Sequence, residues 1–381
     1  MKKIRKRERF KLMELNILGW NRIFEESFNN IKKDDYIPGR VIREEKGRYI
    51  VQHETGECAA TVSGKLRYNA MSISDFPAVG DWVAIKLINN DDESIIYNVL
   101  PRKSSFSRKA PVSGGRKVKD VLGRKITIGG STEEQIVAAN IDVVFIVMAL
   151  DDNFNLRRLE RYILMAWNSG ATPVIVLNKM DMCDNLSEKL EQVHEIAAGV
   201  EIHCISALNK EGIKELKEYI GDGITIGLFG SSGVGKSTII NCLLEEEQLL
   251  TGAVRESDSK GRHTTTWREL LLIPTGGIVI DTPGMRELQV WSEREAVDEL
   301  FNDIIDLESQ CKFNNCSHNT EPGCAIRTAL EDGTLDPERY DNYKIMQLEV
   351  GYLEGRINER NVAYSGKEKL KLKILKQRKN L

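Results

Sequence analysis

The octapeptide Gly230-Ser231-Ser232-Gly233-Val234-Gly235-Lys236-Ser237 leaves this chain little freedom in what it builds. It matches GxxxxGK[ST] in full. It follows the apolar run Thr225–Phe229 and precedes a helical pattern, so strand, glycine-rich turn and helix stand in the order that a phosphate cradle needs. Glycines let backbone N–H groups turn inward as an anion nest, and the helix N-terminus adds partial positive charge. Lys236 is placed to reach β- and γ-phosphates and the Ser237 hydroxyl to hold Mg²⁺, with Thr238 in the same first helical turn. A chance glycine-rich turn would not come with both flanking elements.

The neighbouring sequence extends this into a sheet. IDVVFIVMAL (141–150) is a continuous apolar run, as expected of a buried parallel strand. Asn155 caps a predicted helix that Gly170 ends, and PVIVL, EIHCI and the hairpin LLLIPTGGIVI supply further strands. Strand–helix alternation of this kind gives an α/β parallel sheet with helices on both faces. Three short boxes end these strands, on the edge where open α/β sheets bind ligands. Asn178-Lys179-Met180-Asp181 reads as NKxD, whose Asp accepts from guanine N1–H and the exocyclic amine together, a pair that adenine lacks. This opposes an ATPase. At Ser206-Ala207 a backbone N–H can meet the guanine oxygen. Asp281-Thr-Pro-Gly284, starting 45 residues after Lys236, offers Asp281 to Mg²⁺ through water and the Gly284 N–H to a γ-phosphate. The order is permuted. A conventional GTPase runs P-loop, Thr switch, DxxG, NKxD, SA, whereas here NKxD and SA come first. Closure remains possible because all boxes share one sheet edge. DTPG then leads directly into the C-terminal segment, so nucleotide state is expected to be transmitted there.

Upstream, residues 37–100 hold five short β-branched segments split by turn residues, which fits a small closed barrel, an OB-fold first and an SH3-like barrel second. Such a barrel either binds RNA through one face or serves only as a spacer. Residues 102–135 lack periodicity and are rich in Gly, Ser, Lys and Arg, and are expected to form a linker or mobile loop. Residues 291–381 look helical apart from a Cys-rich stretch. The net charge of −3 hides segregation: residues 1–11, 102–125 and 367–381 hold 23 basic and 3 acidic residues, and the rest of the chain nets −23. An acidic body with basic segments suits a polyanionic partner. Seven cysteines in 381 residues do not make a disulfide scaffold. The N-terminus has no unbroken apolar region of a secretory signal, and the longest apolar run, Val143–Leu150, falls far short of the ~18 residues of a membrane helix. The expectation is a cytoplasmic, membrane-free monomer.

The permuted order NKMD, SAL, GSSGVGKS, GRHTTT, DTPG, after a five-strand barrel and before a Cys/His cluster, resembles the circularly permuted, small-ribosomal-subunit-dependent GTPases called RsgA, over roughly residues 36–350. The resemblance implies an OB-fold domain, a permuted GTPase core, a zinc-binding C-terminal domain and a role in late maturation of the small subunit. Gly261-Arg262-His263-Thr264-Thr265-Thr266 lies where the first switch must be. Spacing does not choose among its threonines, and the resemblance favours Thr265 for Mg²⁺. The position after DTPG, where small GTPases keep a water-orienting Gln, is Met285. His263, beside the switch threonines, can polarise water, and the resemblance implies that it is the catalytic residue. Without the Gln, unaided turnover should be slow and a partner should accelerate it. Cys311, Cys316, His318 and Cys324 form a Cys₃His set suited to one structural zinc, ahead of a redox pair or plain buried thiols, while Cys58, Cys183, Cys204 and Cys242 are scattered.

The expected layout is a basic extension 1–35, barrel 36–101, linker 102–135, GTPase domain 136–290, zinc-binding helical domain 291–350 and basic tail 351–381, an arm for RNA. The expected activity is subunit-stimulated hydrolysis of GTP to GDP and phosphate on the small ribosomal subunit and its rRNA, with Mg²⁺ and one zinc. The alternative is a nucleotide-gated RNA-binding scaffold with incidental hydrolysis.

Overall fold

Asn21 starts the first helix by accepting the Ile23 and Phe24 N–H groups, in a computed structural model that describes residues 14–45, 47–88, 93–109, 116–119, 125–128, 134–197, 199–245, 269–281, 297–298, 300–313 and 315–348. That helix, α1 (Arg22–Asn29), places Phe24 and Phe28 one turn apart on its inner face. They bury with Leu18, Tyr36, Trp82 and Leu100, and Trp20 meets Trp82 edge-on at 4.7 Å. The expected basic extension is therefore, from residue 14 onward, an aromatic layer on the outside of the barrel.

The barrel strands are β1 (Ile37–Glu45), β2 (Arg48–His53), β3 (Gly56–Val62), β4 (Trp82–Ile88) and β5 (Glu93–Val99), with helix α2 (Gly64–Asn69) between β3 and β4. They run in the order β1-β2-β3-β5-β4, and β4 pairs back onto β1, which closes the sheet. The β3–β5 pair is parallel and every other barrel pair antiparallel. This is the Greek-key closure of an OB-fold, not an SH3-like meander. Val41, Val51, Ala60, Val83, Ile85 and Ile96 fill its interior.

The stretch 102–135 departs from the expectation of an aperiodic linker. It carries β6 (Ser105–Lys109), β7 (Arg116–Lys119) and β8 (Lys125–Ile128), and runs into β9 (Glu134–Ala139). β6 pairs with β9 and β7 with β8. Phe106 is buried edge-on against Phe229, 4.7 Å away, beneath the P-loop strand. The strands are four to six residues long, too short to show alternation clearly, and β6 and β7 are dense in Lys and Arg.

The second sheet contains β10 (Val143–Ala149), β11 (Thr172–Asn178), β12 (Glu201–Ile205), β13 (Thr225–Phe229), β14 (Glu269–Leu272) and β15 (Ile278–Asp281). Its order is β12-β11-β10-β13-β15-β14, all parallel except β14. Helices α3 (Leu156–Ser169), α4 (Leu186–Ile196), α5 (Ile213–Lys217) and α6 (Lys236–Leu244) cover it. Phe145, Val147 and Ala149 of β10 bury with α5 and α6 residues, while the alternate positions Val144, Ile146 and Met148 are buried on the opposite face. Asn155 and a left-handed Gly170 cap α3 as the sequence implied.

Barrel and GTPase sheet join at two points. β14 pairs with β1 at Glu269 and Arg43, which also form an ion pair of 3.3 Å. Deeper in, Arg40 of β1 is 1% exposed and spends its guanidinium on four acceptors: the carbonyls of Leu18, Gly80 and Asn140 and the Thr225 hydroxyl. Burial lowers its pKa to about 10 against the pull of Asp142 and Asp81, so it stays charged at neutral pH.

Residues 1–289 and 290–381 form two separate compact units. The second holds α7 (Asn302–Ser309), α8 (Ala325–Asp332) and a helical segment 337–348 around Phe301, Ile304, Ile326, Tyr343 and Met346. No helix among the described residues is long and apolar enough to cross a membrane.

Candidate nucleotide site and metal centre

Among the described residues, the boxes lie at the carboxyl ends of β12, β11, β13 and β15, with β10 between β11 and β13. NKMD ends β11, Ser206-Ala207 follows β12, the P-loop joins β13 to α6, and Asp281 is the last residue of β15. Asn178 links three of these. It is 3% exposed; its Nδ2 donates to the Val234 carbonyl at 2.8 Å and its Oδ1 accepts from the Ala207 N–H at 3.0 Å. Both ends of one carboxamide are therefore satisfied by two boxes distant in sequence.

The glycines of the P-loop answer specific demands. A Cβ on Gly235 would lie 2.2 Å from Asn178 Nδ2, and one on Gly230 would lie 2.3 Å from the Val147 carbonyl oxygen. Both have positive φ, as does Gly233. Val234 is 1% exposed and anchors the loop in the core, whereas Ser232 and Gly233 face outward. Lys236 Nζ is held by the carbonyls of Gly230 at 2.8 Å and Ser231 at 2.6 Å. Gly235 supplies no side-chain cap to α6, so the N–H groups of the first turn, with Ser237 and Thr238, open toward the loop.

Lys179 adopts left-handed backbone angles and reaches Asp151 at 2.8 Å. Burial raises the Asp151 carboxyl, but the Lys179 ammonium and the Asn153 N–H outweigh it and hold it below the ordinary value. Asp181 is exposed and Met180 half-buried. Ser206 is buried, accepts from the Asn209 N–H and bridges to Glu211.

Two residues of this edge carry no motif. Asn153, in the loop after β10, donates through Nδ2 to Ser231 Oγ at 3.0 Å and to the Ser232 carbonyl at 3.3 Å. Its own Oδ1 accepts from Arg158 at 2.7 Å. Asp151 and Asn153 thus brace both the P-loop and the NKMD lysine. Their signal was positional: a polar Asp-Asp-Asn triplet directly follows a buried parallel strand, at the ligand-binding edge. Gly261–Thr266, with His263 and Thr265, and Gly284 and Met285 lie outside the described residues, as does the Asp281 side chain.

In the second unit, Cys311, Cys316, His318 and Cys324 bring one ligand atom each within 4.8 Å of one another. Cys311 Sγ lies 4.0 Å from Cys324 Sγ and 3.6 Å from His318 Nδ1, and His318 Nδ1 lies 3.4 Å from Cys324 Sγ. A metal–sulfur bond of ~2.3 Å in a tetrahedron gives edges of about 3.8 Å, so the four can hold a metal ion. The surroundings agree. His318 turns Nε2 to Glu308, 3.4 Å away, and Tyr343 donates to the other Glu308 oxygen at 3.2 Å. That fixes the ring with Nδ1 toward the sulfurs. Burial raises the Cys311 thiol, but the Ala325 and Ile326 amides at the start of α8 outweigh it and lower it, whereas burial and the neighbouring Cys324 and Cys311 sulfurs push Cys316 up to about 11. Glu321 accepts from the N–H groups of Ser317, Asn319 and Thr320 and from the Ser317 hydroxyl, which ties down the turn bearing His318 at φ +59°. Sequence reading found the four ligands and missed these supports.

A family profile described as RsgA GTPase matches residues 119–291. A protein of Oceanobacillus iheyensis named small ribosomal subunit biogenesis GTPase RsgA 1 is 44% identical over 342 residues, 90% of this chain and 92% of that protein. A Lactiplantibacillus plantarum protein named small ribosomal subunit biogenesis GTPase RsgA 2 is 42% identical over 340 residues, 89% of this chain and 91% of that one. Among solved structures, YjeQ from Thermotoga maritima superposes with a TM-score of 0.56 at 27% identity, covering 83% of this chain and 98% of that one. YloQ, described as a circularly permuted GTPase, shares the fold at a TM-score of 0.53 and 23% identity over 84% of this chain and 96% of that one.

Proposed function

The chain belongs to the RsgA family of circularly permuted GTPases, and on that footing we propose a GTP-hydrolysing switch that docks on the small ribosomal subunit and assists its late maturation. Its chemistry is hydrolysis of GTP to GDP and phosphate. The observation that carries this is the Asn178 carboxamide, which joins NKMD, the P-loop and the Ser206-Ala207 turn into one edge despite their permuted order.

The roles follow from that edge. The P-loop amides from Gly230 to Gly235 wrap the phosphates, and Lys236 exchanges its two loop carbonyls for β- and γ-phosphate oxygens. Asp181 reads the guanine N1–H and amine, and the Ala207 turn faces the guanine oxygen. Ser237, with Thr265 and Asp281, holds Mg²⁺, which neutralises charge on the β- and γ-phosphates. Gly284 senses the γ-phosphate. His263 orients the attacking water that no Gln is present to orient. In the second unit, Cys311, Cys316, His318 and Cys324 hold one structural zinc, with no open position for substrate. The barrel, the basic segments and the tail 351–381 contact rRNA. The protein acts as a cytoplasmic monomer, organised as barrel 36–101, GTPase domain 136–290 and zinc domain 291–350.

The test is GTP turnover by the purified protein with and without purified small ribosomal subunits. A large stimulation by small subunits, absent with large subunits and lost in His263→Ala while GTP binding persists, is the expected outcome. Normal GTP binding with no stimulation would sink the ribosomal part and leave the GTPase.

A further inference from the structure

Away from the nucleotide edge, the barrel carries two cavities of about 450 and 220 Å³ that share Leu66, Asn69, Tyr97 and Asn98 and so form one trough. The larger falls in the roughly 300–1,000 Å³ range of ligand sites. β5 makes the floor and α2 one wall, and Lys33 and Tyr36, from the segment entering β1, make the other. The smaller cavity therefore depends on the packing of Ile31, Lys33 and Tyr36 against the barrel.

Its chemistry is specific. Tyr97 lines both cavities, half-buried, and is fixed by stacking on Tyr36 at 4.8 Å and 23°. Asn69 and Asn98 are exposed, and their carboxamides make no hydrogen bond to the described residues. The charges divide unevenly. Asp75, exposed, places Oδ2 on the Met71 and Ser72 N–H groups and its charge beside Arg102, and Arg102 spends its guanidinium on Asp81 and the carbonyls of Ser74 and Phe76. The smaller cavity is lined by two exposed lysines, Lys33 over the Tyr36 ring and Lys65, and by no acid, whereas Asp75 lines only the larger one. A ring, two uncommitted carboxamides and two ammonium groups, with the one lining acid confined to the larger cavity, is a set that grips one unstacked base and its phosphates. OB-folds bind oligonucleotides mainly across the β2–β3 face, and this trough lies on the α2–β5 side instead.

We propose that the trough is a single-stranded RNA subsite that takes a base against Tyr97, its polar edge on Asn69 and Asn98 and its phosphates on Lys33 and Lys65. The proposal rests on the reading of this protein as a ribosomal-subunit GTPase and adds where a single strand is held.

The experiment is fluorescence anisotropy of the full-length, zinc-loaded protein with short unstructured oligoadenosine and oligouridine. The variants are an Asn69→Glu/Asn98→Glu double substitution and Tyr97→Leu beside Tyr97→Phe, each checked for melting as the parent does. Both asparagines are exposed, so the double variant should fold. The double variant and Tyr97→Leu are expected to bind about tenfold more weakly and to lose any preference between the two oligonucleotides, while Tyr97→Phe keeps both. Lys65→Ala should lower the dependence of affinity on salt. Parent-like binding and base preference in the double variant and in Tyr97→Leu would overturn the proposal. So would loss of subunit-stimulated turnover with oligonucleotide binding intact, because the trough would then serve a protein. If the parent itself is not stimulated by small subunits, the ribosomal reading fails, and that result is separate from the oligonucleotide comparison.

Discussion

Asn178 and Asn153 show two ways in which a carboxamide can shape a phosphate loop. Asn178 works from below, buried, with Gly235 pressed so close that no Cβ fits between them. Asn153 works from the side, half-buried, and holds Ser231 and Ser232, the residues on which the Lys236 ammonium and the outward face of the loop depend. Asn153→Ala removes two donations to the loop, each worth about 1 kcal/mol net. Some of that is recovered by water, since the site is not sealed. We expect GTP and GDP to dissociate roughly five- to tenfold faster, with the melting temperature of the nucleotide-free protein lowered by a few degrees. Stopped-flow displacement of a fluorescent guanine nucleotide reads this directly. Dissociation rates like the parent's would mean that Asn153 only packs the loop after β10.

At the scale of elements, what the sequence made legible depended on whether a signal was local. Five barrel strands, the capped helix α3 and the strand–loop–helix of the P-loop each rest on a short apolar pattern bounded by Asn or Gly, and each is where that pattern put it. The strands between 105 and 128 were missed because their pairing is set by neighbours and not by alternation, with Phe106 reaching Phe229 across more than a hundred residues. The packed segment 14–36 was missed because its aromatic residues are sparse and sorted only by their fit to Trp82. The metal loop divides the same way: four ligands announce themselves by type and spacing, whereas Glu308 and Glu321 are ordinary acids until folded. Glu321 holds the turn of His318 with a carboxyl lowered to about 2, mainly by the Ser317 hydroxyl and amide bonds. Because its folded value lies below its ordinary one, its contribution is complete above about pH 4.5 and lost only as pH falls toward about 2. Thiolates take up protons well above that range, so Glu321 stays ionised throughout acid release of the metal. Glu321→Gln is therefore expected to weaken metal binding by this cluster several-fold at neutral pH without changing the steepness of release with pH. Competition with a chromophoric chelator across pH 5–7 measures both. A changed steepness would show that Glu321 exchanges protons with the site.

For residues 1–289, the question is whether barrel and GTPase sheet act as one body, and Arg40 is the residue on which that turns. Its guanidinium joins the N-terminal layer at Leu18, the barrel at Gly80, the connecting turn at Asn140 and the first residue of the P-loop strand at Thr225. Backbone fits closely here as well: a Cβ on Gly19 would lie 2.7 Å from the Gly223 carbonyl oxygen, and one on Gly80 would lie 2.1 Å from that of Ala139. A charge this deep is costly unless its donors are used, and four acceptors take four of its five N–H groups, with the Trp82 ring alongside at 5.8 Å. Arg40→Met keeps most of the volume but leaves the Leu18 and Asn140 carbonyls and the Thr225 hydroxyl without their donor, while the Gly80 carbonyl keeps the Asn140 carboxamide, at a cost on the order of 3–5 kcal/mol. The cost falls between two bodies and not within either core. Hydrogen exchange in the parent should open β1–β3 and β13 together, at one free energy, and urea should unfold residues of both in one transition. In Arg40→Met the barrel amides should exchange ahead of those of β13, and the urea transition should broaden or split, with GTP protecting only the GTPase sheet. A single transition at the parent's midpoint would mean that the β1–β14 pairing alone holds the two together. A split transition would make Arg40 the mechanical link through which the barrel is held in fixed register with the strand that carries the P-loop.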